Sequence, residues 1–287
     1  MSDARAPENL VNLDRYPLTD PESEQYKAEV ARIRADLTRD GSASLPQFLT
    51  PDGIALMAFE AEALSPLAYG GPTEVSPYFF NYDIAAADDP DHPVRRKGRR
   101  ALSQVAYDLI PPESALYRLY YWDALPAFLA DALELPKLFR TEDRYQALNI
   151  SVMSPGGCQQ WHFDRSAFVT TLLVQAGEEG GHFEYVPGLR EDADEHYDEV
   201  RAILDGDESR VRRIVIEPGM LNLFKGHYSM HRVTEVKGTR RRLQTILGYS
   251  ATEGVIGSLK SSILHYGPRV AIKEGVSPEE MRELVGA

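Results

Sequence analysis

A histidine and a carboxylate stand two apart in Gln160-Trp161-His162-Phe163-Asp164, and along a β-strand residues i and i+2 face the same side. Both side chains can then grip one metal ion. A second histidine, His231 in Ser229-Met230-His231-Arg232-Val233, lies in another β-prone segment further along the chain. Two imidazoles and one carboxylate form the facial set that holds non-haem Fe(II) while leaving coordination positions open. Three other residues compete for a ligand role. His227, four before His231, reads as a turn histidine at a pocket rim, and His182 in Gly-Gly-His-Phe-Glu reads as structural. A Cys158 thiolate would draw a softer metal, so this residue reads as a small buried apolar side chain.

An iron site that takes 2-oxoglutarate as co-substrate also needs a cation for the distal carboxylate. The run Arg240-Arg241-Arg242-Leu243-Gln244 opens a β-prone segment, and guanidinium meets carboxylate in a two-pronged fork. Alternation puts Arg240, Arg242 and Gln244 on one face and Arg241 on the other; Arg242, deepest in the strand, is the favoured anchor. Asn149, on a predicted strand beside the metal strand, either hydrogen-bonds the co-substrate or completes a backbone network. Arg165 directly follows the metal carboxylate and reads as a contact for an acidic substrate group or as a surface ion pair.

The elements that must position these residues fall into two halves. In the first, Asp20-Pro21-Glu22 predicts a helix N-cap followed by proline at the first helical position, with Tyr26, Val30, Ile33 and Leu37 on one face before Gly41. A second helix is expected from Thr50-Pro51-Asp52, carrying Ile54, Met57, Ala61 and Leu64, and further helical signals cover 99–109, 113–121 and 123–134. Residues 76–100 fit no regular element: Tyr78, Phe79, Phe80 and Tyr82 crowd together, and a basic run from Arg95 to Arg100 follows. From about residue 145 the pattern changes to short β-prone segments at 145–153, 159–163, 168–175, 182–186, 212–216, 221–224, 230–234 and 241–249, separated by glycine and proline. Eight such strands predict a jelly roll of two antiparallel sheets. The expected organisation is one structural unit: 1–140 as helical support and lid, 141–255 as a double-stranded β-helix core, and 256–287 as a C-terminal segment. An acidic insertion at 189–210 could hold one short helix through Tyr197, Val200, Ala202, Ile203 and Leu204, and Ser277-Pro278-Glu279-Glu280 predicts a capped tail helix.

Composition narrows the partners. With 287 residues, 43% of them hydrophobic and none in a run of membrane-spanning length, the chain reads as an ordinary soluble globule. A net charge of −13 opposes phosphate backbones and anionic lipid surfaces, so neither nucleic acid nor membrane is expected as a partner. A small-molecule substrate is expected, and a homo-oligomer is allowed. One cysteine forms no internal disulfide, and the first residues carry no apolar signal-type stretch, so the expected compartment is the cytoplasm.

Taken in order, Asn149, Trp161-His162-Phe163-Asp164, Gly180-Gly181-His182-Phe183-Glu184-Tyr185-Val186-Pro187, Pro218-Gly219 and the His231 and arginine strands resemble the Fe(II)/2-oxoglutarate-dependent dioxygenases over about residues 145–250. The Pro77-Tyr78-Phe79-Phe80-Asn81-Tyr82-Asp83 stretch and the surroundings of His162 are similar to a bacterial subgroup that hydroxylates or chlorinates free amino acids. The resemblance implies iron on His162, Asp164 and His231, 2-oxoglutarate on that iron and on Arg242, O2 as oxidant, and release of succinate and CO2. In the chlorinating members the metal carboxylate is replaced by a small residue so that chloride can bind; Asp164 therefore implies hydroxylation. Tyr78, Phe80 and Tyr82 read either as substrate-side residues of an N-terminal lid or as ordinary core packing, and the resemblance implies that one arginine of the basic run, Arg100 being the candidate, holds a substrate carboxylate. A prolyl-type protein hydroxylase and a non-catalytic jelly-roll binding module are the alternatives; a cupin is disfavoured because no His-x-His pair with a following glutamate ligand is present.

Overall fold

The computed structural model describes residues 3–79 and 89–286. Two antiparallel sheets face each other. The larger one runs, in spatial order, Ser42–Leu45, Leu221–Phe224, Val169–Gln175, Arg242–Leu247, Leu148–Met153, Ser103–Val105 and Tyr69–Gly70. The smaller runs Arg212–Ile214, Phe183–Val186, Met230–Val233, Cys158–His162, Gly98–Ala101 and Glu74–Val75. All eight strands expected in the second half are present. From Leu148 onward successive strands switch between the sheets, except where Phe183–Val186 and Arg212–Ile214 pair with each other and bracket the acidic insertion. This is the double-stranded β-helix, and it makes the space between the sheets the natural place for a site.

Side-chain alternation divides the larger sheet into two faces. Leu148, Ile150, Val152, Leu172, Val174, Leu221, Leu223, Leu243 and Leu247 point outward into the main core. There they meet Leu37, Met57, Leu119 and Phe128 from the helices Glu24–Asp40, Pro51–Leu64, Ala115–Tyr121 and Ala124–Ala132. Ser151, Met153, Thr171, Asn222, Arg242 and Gln244 point the other way, into the space between the sheets. The same arithmetic that seats Leu243 in the core therefore aims Arg242 at the interior.

Thr50 caps the second helix through the Gly53 N–H, and Ser277 and Glu280 form the expected capping box. The first helix begins later than expected. Asp20-Pro21-Glu22-Ser23 is a turn, closed by a hydrogen bond from Ser23 N–H to Asp20 C=O at 3.1 Å, and Ser23 caps Glu24–Asp40. The helical expectation for 99–109 is also corrected: Gly98–Ala101 and Ser103–Val105 are strands, and only Tyr107–Leu109 makes a helical turn. Here the exposed edges of two core strands decide the structure. Arg100 and Ala101 pair with Gln159 and Cys158, while Ser103 and Val105 pair with Val152 and Ile150, satisfying backbone groups that a local helix would leave open. The N-terminal 140 residues thus supply strands to both sheets as well as helices.

The insertion does contain a helix, Tyr197–Leu204, whose Val200 and Ile203 pack against Tyr78, Val94, Trp161 and Phe163 behind the smaller sheet. A further helix, Leu259–Tyr266, brings His265 to the space between the sheets, and Pro268–Lys273 packs beside it through Val270 and Ala271. Among the described residues no helix is long and apolar enough to cross a membrane.

Leu243 is fully buried between the support helices and the sheet. Leu243→Ala is expected to lower the unfolding free energy by about 2–5 kcal/mol, read as a shift in the urea midpoint with an unchanged denaturant slope.

Candidate metal centre

His162 and His231 are direct cross-strand partners, and their rings lie 4.0 Å apart between centroids. Each imidazole is oriented by its own strand. Nδ1 of His162 donates to the Gln160 carbonyl at 2.8 Å, and Nδ1 of His231 donates to the Ser229 carbonyl at 2.9 Å. A carbonyl only accepts, so the proton sits on Nδ1 in both rings and each Nε2 keeps its lone pair toward the cavity. Burial pushes the His162 pKa down to about 3 and so favours the neutral form a metal needs.

Asp164 lies just past the strand end, where its N–H donates to the Gly226 carbonyl at 3.0 Å. Its carboxylate oxygens are 4.0 Å from His162 Nε2 and 3.4 Å from His231 Nε2. Burial alone opposes ionisation of Asp164, but its cationic surroundings, the Arg190 guanidinium among them, outweigh it and hold the carboxyl below its usual range. The three ligand atoms lie within 4.8 Å of one another. Two imidazole nitrogens with preset tautomers and one carboxylate oxygen fit Fe(II) in number, type and orientation.

Two neighbours hold Asp164 in place. A Cβ on Gly226 would fall inside the Asp164 carboxylate, so glycine leaves the room that this side chain occupies. Arg190, 6% exposed, donates to the carbonyls of His227 and Asp164 and to His227 Nδ1, and its guanidinium lies 4.3 Å over the Phe163 ring. His227 is thereby accounted for in the loop beside the site, His182 is exposed, and Cys158 is buried in its strand.

The interior cavity between the sheets has a volume of about 190 Å³ and includes the three candidate ligands. Arg242 and Arg100, each 3% exposed, both line it. Nη2 of Arg242, and Nε and Nη1 of Arg100, are buried with no hydrogen-bond partner among the described residues. Burial lowers the pKa of each to about 10, which still leaves both charged at neutral pH. Arg240 and Arg241 are spent elsewhere: the first on the carbonyls of Ala176 and Gly177, the second on Glu62 and Ser65.

Other expected site residues are distributed differently. Asn149 lines an adjoining cavity of about 380 Å³ and accepts from Gln104; Ser151, one pleat along, lines the metal cavity. Arg165 is exposed and lines both that space and a third cavity of about 230 Å³. Tyr78 faces away from the metal: it stacks on Phe163 at 5.4 Å and packs with the insertion helix. It is the next residue, Phe79, at φ 57°, that turns toward the site and sets its ring edge-on to His162 at 5.2 Å. Phe80 and Tyr82 lie outside the described residues.

Sequence reasoning missed Gln159, whose amide nitrogen lies 3.0 Å from His162 Nε2, on the lone pair that a metal would take. Strict alternation puts residues three apart on opposite faces. The register here pairs His231 with His162 but Val233 with Gln159, a bulge that turns both side chains inward. His265, on the Leu259–Tyr266 helix, was missed as well; burial pushes its pKa down to about 4, with Arg100 adding to the effect.

Residues 85–262 match the family described as Halogenase D. No curated protein matches the chain by sequence. Among solved structures, a 2OG-Fe(II) oxygenase family oxidoreductase from Burkholderia pseudomallei is similar at TM-score 0.50 and 15% identity, over 79% of this chain and 92% of its own. The non-haem alpha-ketoglutarate-dependent epimerase SnoN of nogalamycin biosynthesis matches at 0.53 and 16%, over 78% and 83%. HygX from Streptomyces hygroscopicus, solved with nickel, 2-oxoglutarate and hygromycin B, matches at 0.52 and 15%, over 77% and 87%.

Gly226→Ala is expected to displace Asp164 and weaken Fe(II) binding about 10–100-fold, the range typical of lost ligand support, with little change in far-UV circular dichroism; calorimetric metal titration measures it. His162 and His265 carry depressed pKa values in the fold and return to about 6.5 on unfolding. Between roughly pH 6.5 and pH 4 the unfolded chain therefore binds more protons, and the metal-free protein loses stability as pH falls. His265→Asn removes one of these uptakes and is expected to flatten the slope by at most about 1.4 kcal/mol per pH unit, measured by urea unfolding in EDTA.

Proposed function

Since this chain belongs to the Halogenase D family, within the Fe(II)/2-oxoglutarate-dependent oxygenases, we propose that it hydroxylates a small polar metabolite, most plainly a free amino acid or derivative. The observation that carries the reading is Asp164, a carboxylate filling the third protein position of the metal set. Halide transfer needs that position open, so this member of the family inserts oxygen. Iron(II) with 2-oxoglutarate supplies the oxidising chemistry: O2 is reduced as the keto acid loses CO2 to become succinate, and one oxygen atom enters a substrate C–H bond.

The protein's own part is positioning and exclusion of water. Arg242 holds the distal carboxylate of 2-oxoglutarate from the floor of the metal cavity, where its Nη2 has no other partner among the described residues. Arg100, with two free nitrogens in the same cavity, holds the substrate carboxylate. Phe79 and the Leu259–Tyr266 helix close the cavity from above. An interior of about 190 Å³ suits a small molecule better than the open groove a prolyl-type protein hydroxylase requires.

The iron-loaded protein, given 2-oxoglutarate, oxygen and a panel of free amino acids in chloride buffer, is expected to release succinate in the presence of one compound, which gains one oxygen atom and no chlorine by mass. A chlorinated product overturns the proposal. Arg242→Ala is expected to raise the 2-oxoglutarate concentration for half-maximal rate about 10–100-fold, as loss of a charged hydrogen bond of ~1.5–3 kcal/mol implies, whereas Arg240→Ala leaves it unchanged.

A further inference from the structure

The metal cavity and the 230 Å³ cavity share Phe79, Asp164 and His265, so they meet at the metal carboxylate. With 2-oxoglutarate and the metal in the first, the second is where the rest of a substrate extends. Its polar lining is Gln146, Arg165, Ser258, Lys260 and Ser261. Apart from the ligand Asp164, no acid lines it among the described residues. Neither the Arg165 guanidinium nor the Lys260 ammonium makes a hydrogen bond or ion pair with a described residue.

The chain carries 44 acidic against 31 basic residues, so acids to pair with are plentiful. Nearby cations are matched: Arg144 with Glu274 at 2.9 Å, and Arg269 and Lys273 with Asp108 at 2.8 and 2.6 Å. Asp143, which lines the 380 Å³ cavity beside Arg165, is already committed. It accepts from the N–H groups of Tyr145, Gln146 and Gly257 at 2.7–2.8 Å. Arg165 itself starts from a fixed point, because the Asp164 N–H is bonded to Gly226 and the Asp164 carbonyl to Arg190.

We propose that the substrate is dianionic: one carboxylate on Arg100, and a second anionic group, carboxylate or an equivalent oxyanion, received by Arg165 and Lys260 on the other side of Asp164. This rests on the amino-acid hydroxylase reading and narrows it to substrates with an acidic side chain. An ammonium side chain in the same place meets two cations and no free acid. A neutral amide leaves both cations unanswered. Discrimination by charge follows from what each candidate leaves unpaired.

Binding can be read without turnover. The Ni(II)-substituted protein with 2-oxoglutarate, under argon, is titrated calorimetrically with L-aspartate, L-glutamate and O-phospho-L-serine, and in parallel with L-asparagine, L-glutamine and L-lysine. At least one anionic compound is expected to bind tenfold or more tightly than any of the other three, with affinity falling as salt is raised. The double variant Arg165→Gln/Lys260→Gln, one position exposed and the other half-buried, is expected to abolish that preference while its 2-oxoglutarate affinity stays unchanged. Preferred binding of lysine, asparagine or glutamine, or an anionic preference that survives the double variant, overturns the inference and leaves hydroxylation of amino acids standing. If no member of the panel binds, the inference and the amino-acid reading fall together.

Discussion

The site depends on one cross-strand pair. His162 and His231 face each other because Cys158–His162 and Met230–Val233 are hydrogen-bonded neighbours, and each ring is locked by a bond to a carbonyl of its own strand. Backbone pairing therefore settles both the separation of the imidazoles and the nitrogen each one offers. The third ligand comes from beyond the strand end and needs separate support, which Gly226 gives by leaving space and Arg190 by binding the loop. Arg190 also ties the acidic insertion to the metal loop, since it bonds Glu195 as well as Asp164 and His227.

Two buried guanidinium groups in one small cavity are costly to the isolated fold. Charges removed from water without partners carry a desolvation penalty of several kcal/mol each, and the depressed pKa values of Arg100 and Arg242 are the local expression of it. Anions that bind there offset the penalty. Ligand binding and folding are consequently linked, with stabilisation growing as the logarithm of ligand concentration above its dissociation constant. Preorganised cations of this kind give affinity for carboxylates at the expense of apo stability.

Much of this was legible in the sequence, and the misses share a cause. The eight core strands were readable because alternation and Gly/Pro corners are local signals, and the same alternation separated Arg242 from Arg241. The strands Gly98–Ala101 and Ser103–Val105 were not, because they exist to complete sheet edges formed by residues far along the chain. Gln159 was hidden by a bulge, which breaks the period-two rule without marking the sequence. Asp20 and Ser23 are both good caps, and a proline turn chose between them. In the aromatic run, one backbone residue in the left-handed region sends Phe79 to the metal and leaves Tyr78 to packing, a division that composition cannot show.

The close approach of Gly226 to Asp164 also constrains how this family can diversify. The two positions compete for one volume, so the order of substitutions matters. Shortening residue 164 to glycine would remove the three atoms that a Cβ at 226 meets first, and so relieve the closest clash there. Once a larger residue stood at 226, the acid could not return in a single step. In this chain residue 226 would thus act as a ratchet on the choice of the third metal ligand, and its glycine leaves the option of a carboxylate open.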